Sequence, residues 1–216
     1  MTRGSVLTRL QQGGLVVVAR RLEQHHIQGV AASLVTAGVP ALELTLDDPT
    51  AVESIAELHQ QWGDQLLIGA GTALHSSEAK RAIAAGADFV VSPVFIPAVQ
   101  RLCRESDVLY IPGASSPTDI FRILRSGAKA VKLFPASLVT PAYVRDVLEP
   151  FRVYQPVFML TGGLDTARIS AYLSAGVAMV GVGKAILDPG ALAAKQYTLI
   201  GTHAQEILRV IRETKR

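Results

Sequence analysis

RSGAKAVKLFP, residues 125–135, carries the pattern that decides the fold: a helical stretch ends on a small residue and Gly127, and an apolar run, Ala130–Phe134, follows with only Lys132 to interrupt it. The same phrase recurs as TAGVPALELTL at 36–46, AAGADFVVSP at 84–93 and SAGVAMVGVG at 174–183, so that Gly38, Gly86, Gly127 and Gly176 stand about 40 to 50 residues apart. Each glycine fits a helix C′ position, where left-handed backbone favours a residue without Cβ. Four further apolar runs lie between the phrases: LVVVAR at 15–20, LLIGAG at 66–71, VLYIPG at 108–113 and PVFMLTG at 156–162. Interleaved, the two sets make eight strands.

Most gaps between the runs have helical periodicity, at Pro49–Gln61, Ser76–Ala85, Ser116–Arg125 and Asp165–Leu173. Their starts carry Pro, Ser or Asp, residues suited to a cap or first turn. Apolar strands alternating with helices require a parallel sheet with right-handed crossovers. Eight such units in about 190 residues predict an α/β fold, a closed (β/α)₈ TIM barrel, with an open doubly wound sheet as the alternative. No linker or charge block divides residues 1–216, so a single domain is expected, with 189–216 as the eighth helix and a C-terminal helix.

Composition agrees. Of the 216 residues 49% are hydrophobic and only 6% aromatic, so the core is aliphatic, as in strands covered on both faces. The net charge of +3 is scattered, apart from Arg209, Arg212, Lys215 and Arg216, which fit a solvated terminal helix face. No basic stripe interleaved with aromatics speaks for nucleic acid. No apolar stretch reaches the roughly 18 residues of a membrane span, and Leu15–Ala19 is too short for a secretory core. The lone Cys103 cannot make an intrachain disulfide; a soluble protein of the reducing cytoplasm is expected.

In a barrel of this kind chemistry gathers at the C-terminal strand ends. Two ionisable residues stand in apolar runs there. Strand alternation puts Glu43 and Thr45 on one face and Leu42, Leu44 and Leu46 on the other, and Lys132 sits between Val131 and Leu133. Both charged groups should point to the barrel axis. A structural Glu43–Lys132 ion pair is the plain reading, since an unpaired buried charge costs several kcal/mol. Apolar replacements would serve stability as well, which favours retention for reactivity. Lysine is the side chain whose amine becomes neutral, and so nucleophilic, on burial.

The motifs LELTL at 42–46, GAGTAL at 69–74, SP at 92–93, PGASSPTD at 112–119, VKLFPAS at 131–137 and TGG at 161–163 follow one another in register from about Val16 to Leu187. Together they resemble the 2-keto-3-deoxy-6-phosphogluconate (KDPG) and 4-hydroxy-2-oxoglutarate (KHG) aldolase family, which also includes 2-keto-3-deoxy-6-phosphogalactonate aldolases. The resemblance implies a class I aldolase without cofactor, in which Lys132 forms a Schiff base with a keto acid and Glu43 is the general acid/base. It implies a substrate-carboxylate contact at Thr72, with Thr45, Pro93 and Phe134 as further substrate-binding residues. The products would be pyruvate and glyceraldehyde 3-phosphate, or glyoxylate from 4-hydroxy-2-oxoglutarate. A homotrimer is also implied.

Phosphate in this architecture commonly sits on the loops after the last two strands. Here those loops carry Thr161, Gly162 and Gly163, and Gly181, Gly183 and Lys184, although tight turns would need glycines too. Two positions depart from the family pattern. Lys184 stands where Ser is usual, and an ammonium there either strengthens phosphate binding or faces solvent. Asp47 stands where the family often has an Arg that grips substrate carboxylate, a task no carboxylate can perform. Asp47-Asp48-Pro49 is closer to the galactonate branch. Arg20, at the end of the first strand, is positioned to supply the missing guanidinium.

Other signals are set aside. GAGTAL has Leu74 at the third glycine of a dinucleotide fingerprint, and GVGK at 181–184 lacks the first glycine and the Ser or Thr of a P-loop. His25, His26, His59, His75 and His203 have no ligand spacing, so no metal site is expected. No G-x-S-x-G elbow occurs, and Ser115 suits a helix cap. A sugar-phosphate isomerase or epimerase using Glu43 as base, or a non-catalytic phosphometabolite-binding barrel, are the competing functional readings.

Overall fold

Strands form where the apolar runs lie. In the computed structural model, which describes residues 1–216, these are β1 (Leu15–Ala19), β2 (Ala41–Thr45), β3 (Leu67–Gly71), β4 (Phe89–Val91), β5 (Leu109–Ile111), β6 (Gly113–Ala114), β7 (Ala130–Leu133), β8 (Val157–Thr161) and β9 (Val177–Val182). All pair in parallel, in the order β5-β4-β3-β2-β1-β9-β8-β7-β6. The helices between them are α2 (Gln24–Thr36), α3 (Ala51–Trp62), α4 (Ser76–Ala84), α5 (Pro97–Glu105), α6 (Pro117–Arg125), α7 (Pro141–Leu148) and α8 (Ile169–Ser174). After β9 come the short α9 (Pro189–Ala193) and the long α10 (Tyr197–Thr214). The fold is the expected TIM-type barrel in one unit.

Nine strands make eight staves because Pro112 divides the fifth. Proline has no N–H for the ladder, so pairing breaks there. The stave stays continuous in the chain: β5 pairs with β4, β6 with β7, and the Pro112 carbonyl accepts from the Lys132 N–H at 2.8 Å. This hand-over from one neighbour to the other closes the barrel beside Lys132.

Period-two alternation sorts every strand into an inner and an outer face. The outer faces pack against the helices in a core of 46 buried residues. Inside, Val16, Ala41, Leu67, Phe89, Leu109, Ala130, Met159 and Met179 make an apolar lower layer. A helix that the strand pattern does not announce, α1 (Arg3–Gly13), closes the bottom with Val6 and Leu10, both buried in that same layer. Arg9 on α1 donates to the Gln65 carbonyl, and Lys215 at the end of α10 donates to the Gln11 carbonyl at 2.6 Å.

The four phrase glycines all end helices with left-handed φ, between 76° and 111°. At Gly127 a Cβ would meet nothing within 4 Å, whereas at Gly86 it would lie 2.6 Å from the His59 ring. The two substitutions therefore separate backbone strain from crowding. Gly127→Ala should lower unfolding stability by about 1 kcal/mol from strain alone. Gly86→Ala should lower it further. Urea denaturation of both variants measures the difference.

Candidate active site

The inner faces change character near their C-terminal ends. Above the apolar layer the inward positions are Val18, Glu43, Gly71, Lys132, Thr161 and Gly181. They floor a cavity of about 1000 Å³ that opens at the C-terminal face. Arg20, Glu43, Thr45, Thr72, Pro93, Lys132, Phe134, Thr161, Gly162, Gly163, Gly183 and Lys184, every residue expected in the site, line this one cavity.

Glu43 is 1% exposed and Lys132 6%. Room for the Glu43 carboxyl is made by Gly71 on the neighbouring strand, where a Cβ would come within 2.0 Å of Oε1. Gly181 makes room in the same way for Thr161, whose Oγ1 would lie 2.6 Å from an added Cβ. The ion pairs within 4.0 Å elsewhere in the chain do not include Glu43–Lys132. The closed pair that would make both groups purely structural is therefore not formed. Glu43 Oε2 is buried without a hydrogen-bond partner, and the Lys132 ammonium lies over the Phe134 ring, 5.1 Å from its centroid. Burial pushes the Glu43 carboxyl above its ordinary value, with the charge of Lys132 opposing. A carboxyl that changes protonation state above the usual range, facing the same cavity as a lysine, is suited to proton transfer.

Thr72 leaves β3 with a left-handed φ of 57°. The turn is pinned on both sides of Ala73: its N–H donates to the Val91 carbonyl at 3.1 Å, and its carbonyl accepts from Ser92 Oγ at 2.7 Å. Ser92 Oγ in turn accepts from the Tyr110 hydroxyl at 2.9 Å. Burial pushes the Tyr110 phenol up to about 12, so it stays a donor. Sequence reasoning quoted Ser92 within a motif and missed Tyr110. The available signal was a hydroxyl just after the apolar β4 and another within the apolar β5.

On the opposite rim Gly162 lies against the Phe134 ring, 2.6 Å from where a Cβ would stand, and its carbonyl accepts from the Ser137 N–H at 3.2 Å. Lys184 is exposed at the mouth. Arg20 is also at the mouth, but not alone. Asp47 Oδ2 accepts from Arg20 Nη2 and from Arg21 Nε, each at 3.1 Å. Burial works against the Asp47 charge, but the nearby polar Thr45 side chain and the two guanidiniums hold the carboxyl below its ordinary value, while Thr45 Oγ1 and Asp47 Oδ1 are themselves buried without a hydrogen-bond partner. Arg21 and His26 also line the cavity and were not foreseen. His26 is buried, bonds Tyr197 through Nδ1 at 3.0 Å, and is held below its usual value first by burial and then by His25. No three His, Cys, Asp or Glu side chains converge as metal ligands.

Ser115, expected to cap a helix, is exposed in the loop. Its neighbour Ser116 takes the cap, Oγ accepting from the Asp119 N–H at 3.2 Å.

Comparison with known proteins bears on the same geometry. The family profile described as KDPG and KHG aldolase matches residues 6–203. A 2-dehydro-3-deoxy-phosphogluconate aldolase of Treponema pallidum is 34% identical over 183 residues, 84% of this chain and 86% of that protein. A probable 2-dehydro-3-deoxy-6-phosphogalactonate aldolase of Rhizobium meliloti is 29% identical over 179 residues, 82% of each. Among solved structures, a KDPG aldolase of Legionella pneumophila, with pyruvate captured as a covalent carbinolamine, superposes with a TM-score of 0.84. It is 27% identical and covers 96% of this chain and 98% of that one. The barrel, the buried lysine and glutamate facing one cavity and these relatives agree: the chain belongs to the KDPG and KHG aldolase family.

Proposed function

We propose that residues 1–216 act as one class I aldolase that cleaves 2-keto-3-deoxy-6-phospho sugar acids to pyruvate and glyceraldehyde 3-phosphate, without a cofactor. The observation that carries this reading is a buried amine and a buried carboxyl facing one cavity without closing on each other. In sequence, the Lys132 amine adds to the C2 ketone. The carbinolamine loses water with a proton from Glu43, leaving an iminium. Glu43, now a carboxylate, takes the C4 hydroxyl proton directly or through water. The C3–C4 electron pair moves into the iminium and the aldehyde departs. Protonation of the enamine at C3 and hydrolysis of the new iminium release pyruvate and restore the amine.

Thr72, on its pinned turn, holds the keto-acid carboxylate, with Thr45, Pro93 and Phe134 around the reacting carbons. The Thr161, Gly162 and Gly163 loop, with Gly183 and Lys184, takes the phosphate, as backbone N–H groups at such loops do. Cleavage of 4-hydroxy-2-oxoglutarate to pyruvate and glyoxylate is the same chemistry without that anchor. The family resemblance supports a homotrimer, and the single buried Cys103 suits the cytoplasm.

Incubation with pyruvate and borohydride should leave a reduced adduct on Lys132 by mass spectrometry, absent in Lys132→Arg. A chain that stays unmodified where another class I aldolase is trapped refutes the reading. Glu43→Gln should lower kcat by about 10²- to 10⁴-fold.

The raised carboxyl also sets two pH effects. The limb of the kcat/KM profile that Glu43 sets should lie above the value of about 4.3 of a free glutamate. For folding, the native state holds this proton more tightly than the unfolded chain. That contribution is complete below the ordinary glutamate value and is lost as pH rises through the raised one. The melting temperature of Glu43→Gln relative to the parent should therefore improve with rising pH. A difference that stays flat with pH overturns the assignment of a raised carboxyl.

A further inference from the structure

Arg21 is one of few non-glycine residues in left-handed backbone, with φ 49°. This conformation is unfavourable for a residue with a Cβ and persists where its surroundings impose it. In an extended strand Arg20 and Arg21 would point to opposite sides. The turn at Arg21 instead brings both guanidiniums onto one oxygen, Asp47 Oδ2, at 3.1 Å each. Asp47 comes from the loop after β2, and that loop is itself braced. Asp48 Oδ1 accepts from the Thr50 N–H at 2.9 Å and from the Thr50 hydroxyl at 2.8 Å.

Stability does not account for this arrangement. The Arg20 and Arg21 side chains are 64% and 69% exposed, and ion pairs so open to water contribute little. What the cluster does is orient. Arg20 gives one N–H and Arg21 its single Nε–H to Asp47, so both terminal nitrogens of Arg21 and most of Arg20 keep their donors for another partner. Both arginines line the cavity mouth, where β1 lies between β2 with Glu43 and β9, which leads to Lys184. Two cations and one anion leave the cluster with one net positive charge. Two further carboxylates stand beside the cluster: Glu23, which lies 3.5 Å from His25 Nδ1, and Asp48, whose Oδ1 is taken by Thr50.

We infer that Asp47 is a positioning residue: it holds Arg20 and Arg21 at the mouth with their remaining N–H groups turned to an anionic group of the substrate, and position 47 thereby sets substrate preference. The inference rests on the aldolase reading. It makes Asp47 a support for the guanidinium grip, where charge alone would make it an obstacle.

The two roles predict opposite signs. A carboxylate that only cancelled positive charge would, once removed, strengthen attraction of anions. A carboxylate that orients the guanidiniums would weaken it. Asp47→Asn, which keeps shape and loses charge, should raise KM for an anionic reactant about tenfold, with kcat within about twofold. Asp47→Glu should recover part of the loss. Pyruvate dependence of borohydride trapping reports on the carboxylate. The synthesis direction with glyceraldehyde 3-phosphate, against uncharged glyceraldehyde, reports on the phosphate. A rise confined to either arm supports the inference and says which anion the arginines meet. Unchanged or lowered KM in both arms overturns it, as does an equal loss with glyceraldehyde, which marks general damage. If the parent chain traps no pyruvate, the aldolase reading falls and takes this inference with it. If it traps and KM stays unchanged in Asp47→Asn, the inference alone falls.

Discussion

Holding an amine and a carboxyl inside one apolar barrel without letting them neutralise each other is the constraint on which the site is built. Water would solvate both, and a direct ion pair would satisfy both, and either outcome would remove their reactivity. The barrel avoids each by geometry. Glu43 and Lys132 stand on β2 and β7, with β1, β9 and β8 between them along one arc of the wall. Gly71 and Gly181 leave the space that neighbouring side chains would otherwise fill. Phe134 offers the lysine a ring face in place of a carboxylate. The cost of desolvating Glu43 appears as an upward shift of its carboxyl, which is the property proton transfer requires.

The same alternation that buries the lower layer presents the upper one. Ala41, Glu43 and Thr45 share a strand face, as do Ala130, Lys132 and Phe134. One step of register toward the mouth converts an apolar floor into a reactive layer, so packing below and chemistry above are decided by one strand register. Strand ends then hand over to loops whose conformations are unusual, at Thr72 and Arg21, and these loops are tied to residues that follow other strands, Ser92 after β4 and Asp47 after β2.

Much of this was legible in the sequence, for physical reasons. Parallel strands covered on both faces must be apolar throughout, so Glu43 and Lys132 were conspicuous against their neighbours. Glycine at a helix end has a local cause, and all four phrase glycines adopt the backbone that cause requires. What escaped depends on contacts far apart in the chain. The Tyr110 hydroxyl has meaning only when Ser92 and Ala73 lie beside it. Asp47 reads in the sequence as the loss of a guanidinium because the arginines that donate to it lie 26 and 27 positions away. Pro112 looked like part of one run, and its missing N–H matters only at the point of closure. The α1 helix has just Val6, Leu7 and Leu10 as apolar contacts, a pattern too short to stand out until the barrel gives it a surface to cover.

That helix has a further bearing on traffic through the enzyme. With Val6 at 1% exposure and Leu10 at zero beneath a fully buried lower layer, the barrel is a blind chamber with its floor sealed. The cavity opens at the strands' C-terminal end, the side on which the proposed substrate and products would pass. On the proposed mechanism, the fragment tethered to Lys132 lies at the inner end of that passage, and the aldehyde lies between it and the exit. Departure is thereby queued by position: the free fragment clears the doorway first, and the water that releases the tethered one enters by the route just vacated.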